Sequence, residues 1–265
     1  MIRALCACVM LAGCAEQLTP QSLVSDLRVL AIRAEPAEAA PGETVRLEAL
    51  VVDPFGQGRS IERVWASCPD PPGDSPVRCV ERGSPDLLGS DERVEVTMPA
   101  DLPDGRSLGV LLYVCAGGTV GLTEDGPTCT GEGASGLLAV RRVKSAATSP
   151  NRNPTIAALA LDGAALEGDD IPEVAACADD CASHALTVST AEDAAEPVDG
   201  DGGRTEELVT SWLATSGAME RPFGFGSAPA VEWTPPDGTG LVFFWVVLRD
   251  DRGGVDWIER QALVR

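Results

Sequence analysis

Histidine, lysine and tyrosine each occur once in this 265-residue chain, as His184, Lys144 and Tyr113. Aromatic residues make up only 4% of it. A single histidine excludes a metal centre built from several imidazoles. Base is also scarce, with 20 Lys and Arg against 41 Asp and Glu, a net charge of −21 at pH 7. Such a chain repels phosphate backbones, so no nucleic-acid partner is expected. Helical periodicity is missing as well. After residue 14 no stretch keeps apolar residues at three- and four-residue spacing, and Ala175 to Ala182 offers at most a short turn.

The first residues carry a lone Arg3 and then an uncharged apolar run from Ala4 to Leu11. This reads as a secretory signal, and the run is too short to span a bilayer, which needs about 20 residues. Leu11-Ala12-Gly13-Cys14 resembles the lipobox of bacterial lipoproteins. The resemblance implies that residues 1–13 are a signal peptide and that Cys14 becomes a diacylated N-terminus, holding the protein to a membrane through lipid (a palmitate-type anchor). Ala15, rather than Asp, after the cysteine implies the outer membrane. Cleavage would leave 19 bases against 41 acids, a net charge of −22.

Nine cysteines are present. Cys6 and Cys8 leave with the signal and Cys14 takes lipid, so six remain. An even number in an exported chain points to disulfides rather than zinc ligands. Six cysteines allow 15 pairings. Neighbour pairing is the simplest: Cys68 with Cys79, Cys115 with Cys129, and Cys177 with Cys181. A Cys68–Cys115 bond is not expected, because the two should lie at opposite ends of adjacent antiparallel strands.

The chain repeats itself. Val94-Glu95-Val96-Thr97-Met98-Pro99 is matched by Val231-Glu232-Trp233-Thr234-Pro235-Pro236. Pro-Asp-Gly follows each, at 103–105 and 236–238, and then an apolar run, Leu108 to Cys115 and Leu241 to Leu248. Upstream of each lies a tryptophan in a β-like stretch, Trp65 and Trp212. Four matched features in one order predict two homologous domains. Within each copy the period is two: Val45, Leu47, Ala49 and Val51 share one face of residues 44–52. Strands separated by Gly, Pro and Asp turns predict an all-β chain of two tandem Ig-like β-sandwiches. The expected organisation is a membrane tether at 14–26, one sandwich at 27–144, a polar linker at 145–154 and a second sandwich at 155–265 with an acidic insert.

Residues 35–54, with Pro41-Gly42-Glu43-Thr44-Val45 entering a strand, resemble the A and B strands of bacterial Ig-like and PKD-like domains. Trp245 to Trp257 resembles the F–G hairpin of that class. The whole resembles the repeats of lipoproteins from myxobacteria and related groups. This implies a non-enzymatic envelope module that acts as a spacer, or binds an envelope protein or polysaccharide. The acidic insert departs from the pattern and leaves the B strand of the second copy unassigned.

Chemistry-bearing constellations are few. Ser183 and His184 are adjacent in sequence, which a nucleophilic triad does not require, and His184 reads as a surface residue. Glu167-Gly-Asp-Asp170 and Asp199 to Gly203 offer oxygen ligands for calcium but lack a full twelve-residue loop. They keep a calcium-dependent adhesive module open as an alternative. A hydrolase using two carboxylates is a remoter one, since nothing singles out a pair. No catalytic residue, metal ligand or cofactor is therefore assigned. Leu241 to Leu248 is apolar on both faces. Either it is a central strand whose outer face is covered by a loop or by the first domain, or it is a docking surface. Trp233, Trp245 and Phe243 are expected to form the core of the second domain, with Phe244 on the opposite face.

Overall fold

A computed structural model describes residues 19–69, 85–123, 126–167, 171–178, 181–198 and 203–265. Every regular element among them is a strand. The first half contains β1 (Arg28–Glu35), β2 (Glu38–Ala39), β3 (Thr44–Val52), β4 (Ile61–Pro69), β5 (Asp86–Gly89), β6 (Arg93–Thr97), β7 (Ser107–Ala116), β8 (Thr119–Thr123), β9 (Gly126–Thr130) and β10 (Ser135–Ser145). The second half contains β11 (Ile156–Leu161), β12 (Ala164–Ala165), β13 (Glu173–Val174), β14 (His184–Thr190), β15 (Val209–Ala214), β16 (Ala218–Met219), β17 (Phe223–Phe225), β18 (Ala230–Thr234), β19 (Gly240–Arg249) and β20 (Val255–Val264).

In the first half the sheet β1-β3-β6 faces the sheet β2-β10-β7-β4-β5, with β8 and β9 as a separate hairpin. In the second, β12-β11-β14-β18-β16 faces β13-β20-β19-β15-β17. The two orders correspond, with β12 and β16 added in the second as two-residue edge strands. β1, β3 and β6 match β11, β14 and β18, while β2, β10, β7, β4 and β5 match β13, β20, β19, β15 and β17. Each half places its opening strand in one sheet and then crosses over, so that a two-residue strand runs parallel to the last strand of the other. This is Ig-like sandwich topology. The B strand left unassigned in the second copy is β14. Both opening strands also carry a bulge at the same place, between Val29 and Ala31 and between Ile156 and Ala158.

Each sandwich encloses its own core. The first packs Ile32, Ala34, Val45, Leu47, Val94 and Val96 against Trp65, Leu108, Val110, Leu112, Val114 and Val143, with Ala49 and Val51 at its margin. The period-two reading of residues 44–52 therefore holds. The second packs Leu159, Leu186, Val188, Val231 and Trp233 against Trp212, Val242, Phe244, Val246, Ala262 and Val264. The tryptophans of the equivalent strands β4 and β15, Trp65 and Trp212, are both buried. Trp65 Nε1 donates to the carbonyl of Asp91 at 3.0 Å.

The expected core of the second domain was right for Trp233 and inverted for its neighbours. Phe244 is 0% exposed and meets Trp233 edge-on, with ring centroids 4.9 Å apart. Trp245 and Phe243 stack on each other at 5.9 Å on the other face of β19. Register supplies the reason. Residues directly opposite in an antiparallel pair share a face, and Trp212 lies opposite Val246 while Ala214 lies opposite Phe244. The even-numbered residues of β19 therefore point into the sandwich.

The outward face of β19 is covered by the first domain. Trp245, with Phe243 and Leu213, packs on Val24, Leu30, Leu50 and Val52. Val247 and Val255, with Trp257, pack on Ala31. The β1 bulge makes this contact by shifting the phase of the strand. Ile32 and Ala34 turn into the first core, while Ala31 and Arg33 turn towards the second sandwich. Arg33 Nη1 then reaches Asp256 at 3.1 Å, with its guanidinium 4.7 Å above the Trp257 ring.

Two segments expected to be loose connections are packed. Before β1, Val24 is fully buried, its N–H donates to the Ala214 carbonyl at 2.8 Å, and the Ala214 N–H returns to Ser22. In 145–154, Ser145 and Asn151 are fully buried.

Candidate functional site

The first apolar run, β7, is apolar on both faces like β19, but among the described residues no second sandwich lies against its outer face. Val64 and Ala66 of β4, Leu111 and Tyr113 of β7, Leu138 of β10 and Leu87 of β5 line a concavity there. Its volume is about 280 Å³. Leu122 and Pro127, from the β8–β9 hairpin, form its other wall. Leu87 is 62% exposed, Leu122 60% and Leu138 45%. Contiguous exposed apolar surface of this kind marks interaction sites in folded proteins. The sequence held the signal for it, since Leu108 to Cys115 breaks alternation as plainly as Leu241 to Leu248 does.

Chemistry local to the hairpin builds that wall. The Cys115–Cys129 disulfide, with Cα atoms 5.3 Å apart, ties β9 to the outward side of β7. The Val120 N–H donates to Glu62 Oε2 at 2.8 Å. Gly136 permits the close approach: a Cβ there would lie 2.2 Å from Tyr113 Oη and 2.9 Å from Cys129 Cβ. The first copy inserts this hairpin between β7 and β10, whereas in the second β19 turns straight into β20.

The remaining cysteines fall as follows. Cys177 and Cys181 are bonded, with Cα atoms 5.1 Å apart. Cys68 is in a disulfide, and its expected partner Cys79 lies outside the described residues. Cys68 pairs in register with Gly109, and Cys115 with Glu62, so the two do sit at opposite ends of adjacent strands. Cys14 also lies outside the described residues, as do 168–170 and 199–202 of the two acidic loops. Among the described residues, no group of three His, Cys, Asp or Glu side chains is arranged to hold a metal ion.

Ser183 and His184 do not work together. Ser183 Oγ donates to Glu232 at 2.6 Å, whereas His184 Nδ1 is 2.7 Å from Asp162 Oδ2. The His184 hydrogen bond is the main reason the Asp162 carboxyl is held below its usual range. His184 is half-buried beside Trp233, a strand-end cap on the sheet rather than a free surface residue.

A second polar cluster, invisible in the sequence, locks the two sandwiches. Glu38 is 1% exposed and accepts from Lys144 Nζ (2.9 Å), the Asn151 N–H (3.0 Å) and Arg252 Nη2 (2.6 Å). Burial alone would raise its pKa, but these three donors outweigh it and hold the carboxyl below the ordinary range. Arg252 also meets Glu206, whose pKa is pushed up by burial and by the nearby Asp250 and Glu196 charges. Asn153 bridges as well, donating to the Ala34 carbonyl at 2.7 Å and accepting from the Val255 N–H at 2.9 Å.

Neither a protein-family model nor a curated protein matches the sequence. Several solved structures resemble it weakly. The D0–D1 domain of intimin aligns with 88% of this chain and 98% of its own, at 14% identity and a TM-score of 0.25. A membrane-anchored protein from Corynebacterium diphtheriae aligns at 10% identity and a TM-score of 0.25, covering 89% of this chain and 59% of its own. The Yersinia pseudotuberculosis adhesin InvE aligns at 12% and 0.23, covering 90% of this chain and 60% of its own. Scores this low carry no functional argument, and the chain's own strand order is what makes it a pair of Ig-like sandwiches.

Proposed function

We propose that the protein is a non-enzymatic module of the bacterial envelope, lipid-anchored at Cys14, that presents the apolar concavity of its first sandwich to a protein partner. The concavity carries this reading. Its exposed leucines would be stabilised by a partner's apolar side chains, whereas its lining offers little to hydrogen-bond a polysaccharide. The packing of Ser22 and Val24 before β1 supports a short spacer. Ser22 is fixed to the second sandwich, and the eight residue-to-residue steps from Cys14 to Ser22 can reach at most about 28 Å when fully extended. The body is thus held close to the membrane, with the two sandwiches moving as one.

Site-specific photocrosslinking in the native envelope tests this. A photoreactive residue at Leu122 or Leu138 should give one discrete, protease-sensitive adduct. Adding Leu87→Asp should remove it without lowering thermal stability. The same probe at Leu241, which is exposed on the second sandwich, should give none. Failure to crosslink at both concavity positions, or the same adduct from Leu241, would overturn the reading.

A further inference from the structure

A second cavity lies in the seam between the sandwiches, and its chemistry is cationic. It has a volume of about 230 Å³ and is lined by the backbone around the β1 bulge, by Arg141 and Arg249, and by Gly253 to Val255. Arg141 comes from β10 of the first sandwich and Arg249 from β19 of the second.

Both guanidiniums are withdrawn from water, and among the described residues neither has a carboxylate in contact. Among the described residues Arg249 donates to two neutral acceptors, Ser211 Oγ at 3.1 Å and the Leu30 carbonyl at 2.6 Å. Arg141 Nε is buried and has no hydrogen-bond partner among the described residues. Burial, and for Arg141 also the charge of Arg249, works against ionisation of the pair. Asp250 and Glu38 are close enough to favour the charge on Arg141, yet their oxygens are used elsewhere. Asp250 accepts from the Arg252 and Gly254 N–H groups and from Asn151, and Glu38 from Lys144, Asn151 and Arg252. Gly253, at φ +103°, lets the β19–β20 turn lie against the cation. A Cβ there would be 3.2 Å from Arg141 Nη1.

Two like charges brought together in a partly desolvated cavity are costly unless an anion joins them. Arginine's planar fork matches the oxygens of a carboxylate or phosphate. We infer that Arg141 and Arg249 form an oxyanion-binding site at the domain junction, for a phosphate or carboxylate group small enough for the cavity. An occupant there would touch both sandwiches and so tighten their junction. The inference is independent of the lipid anchor and of the concavity on the first sandwich.

The full chain tests it by thermal melting in sodium phosphate, sodium glucuronate and sodium chloride at matched ionic strength, which also separates the two sources of oxyanion. A rise in Tm of about 3–6 °C over chloride is expected once the anion is at roughly ten times its Kd, growing further with the logarithm of its concentration. Arg141→Met should lose that rise while melting in chloride at or above the wild-type temperature, because it removes the buried charge. Titration calorimetry with phosphate and with glucuronate gives a second measurement on the unaltered protein. No rise in Tm over chloride and no saturable heat of binding with either anion, or an undiminished response in Arg141→Met and in Arg249→Gln, would overturn the site.

Discussion

Truncating two adjacent residues of one strand should have different consequences, because β19 serves two interfaces. Phe244 is 0% exposed inside the second sandwich, and Trp245 is 3% exposed only because the first sandwich covers it. Aromatic side chains bury about 150–250 Å² each, which at about 25 cal/mol/Å² is roughly 4–6 kcal/mol as an upper bound. Measured truncations of Phe and Trp to Ala cost about 3–5 kcal/mol. For a chain of this length that is a fall in Tm of roughly 6–20 °C. Size does not separate the two variants, but location does. Phe244→Ala removes the edge-on partner of Trp233 and should strip hydrogen-exchange protection from β14 and β18. Trp245→Ala leaves that core filled. It releases Glu259, whose carboxylate accepts from Trp245 Nε1 at 2.6 Å, and opens the contact with Val24 and Val52. Protection in β14 and β18 should survive, the single melting transition should split in two, and 145–154 should become a protease site. Loss of β14 and β18 protection in Trp245→Ala but not in Phe244→Ala would refute the assignment of faces.

Other outcomes follow from the same contacts. Arg252→Ala should cost about 3–5 kcal/mol by urea denaturation, since it leaves Glu38 and Glu206 buried without their shared cation. Glu38 has a depressed folded pKa, so its contribution is present above its unfolded value near 4.5 and is lost as pH falls through the folded one. Glu38→Gln should therefore be less stable than wild type at neutral pH and converge with it in acid, as pH-dependent melting can check. Replacing Cys115 and Cys129 together with Ser should cost about 3 kcal/mol for a loop of this length and loosen the β8–β9 hairpin to proteolysis. Mass spectrometry of membrane-extracted protein should show a lipid-modified N-terminal Cys14, and a soluble mature protein beginning elsewhere would sink the anchor.

The sequence by itself determined the strand class, the repeat and much of each core. Where one face of a strand is polar, as in Val94-Glu95-Val96 or Thr44 to Val52, alternation states which side chains go inward, and the structure agrees. The matched Trp65 and Trp212 and the matched Val96 and Trp233 occupy equivalent buried places for the same reason. Alternation is silent where both faces are apolar. In Leu241 to Leu248 a shift of one residue gives an equally apolar inward face, so nothing local fixes the phase. Only the register of β19 against β15 decided it, and only the first sandwich explained why the outward face is apolar too. The linker and the segment just before β1 read as polar and loose because their partners, Arg252, Asp250 and Ala214, are distant in sequence. Arg141 and Arg249 are likewise ordinary arginines on ordinary strands until a bulge in β1 and a glycine turn after β19 bring them to one cavity. Charge at a domain junction is set by which surfaces meet, and a period-two pattern carries no information about that.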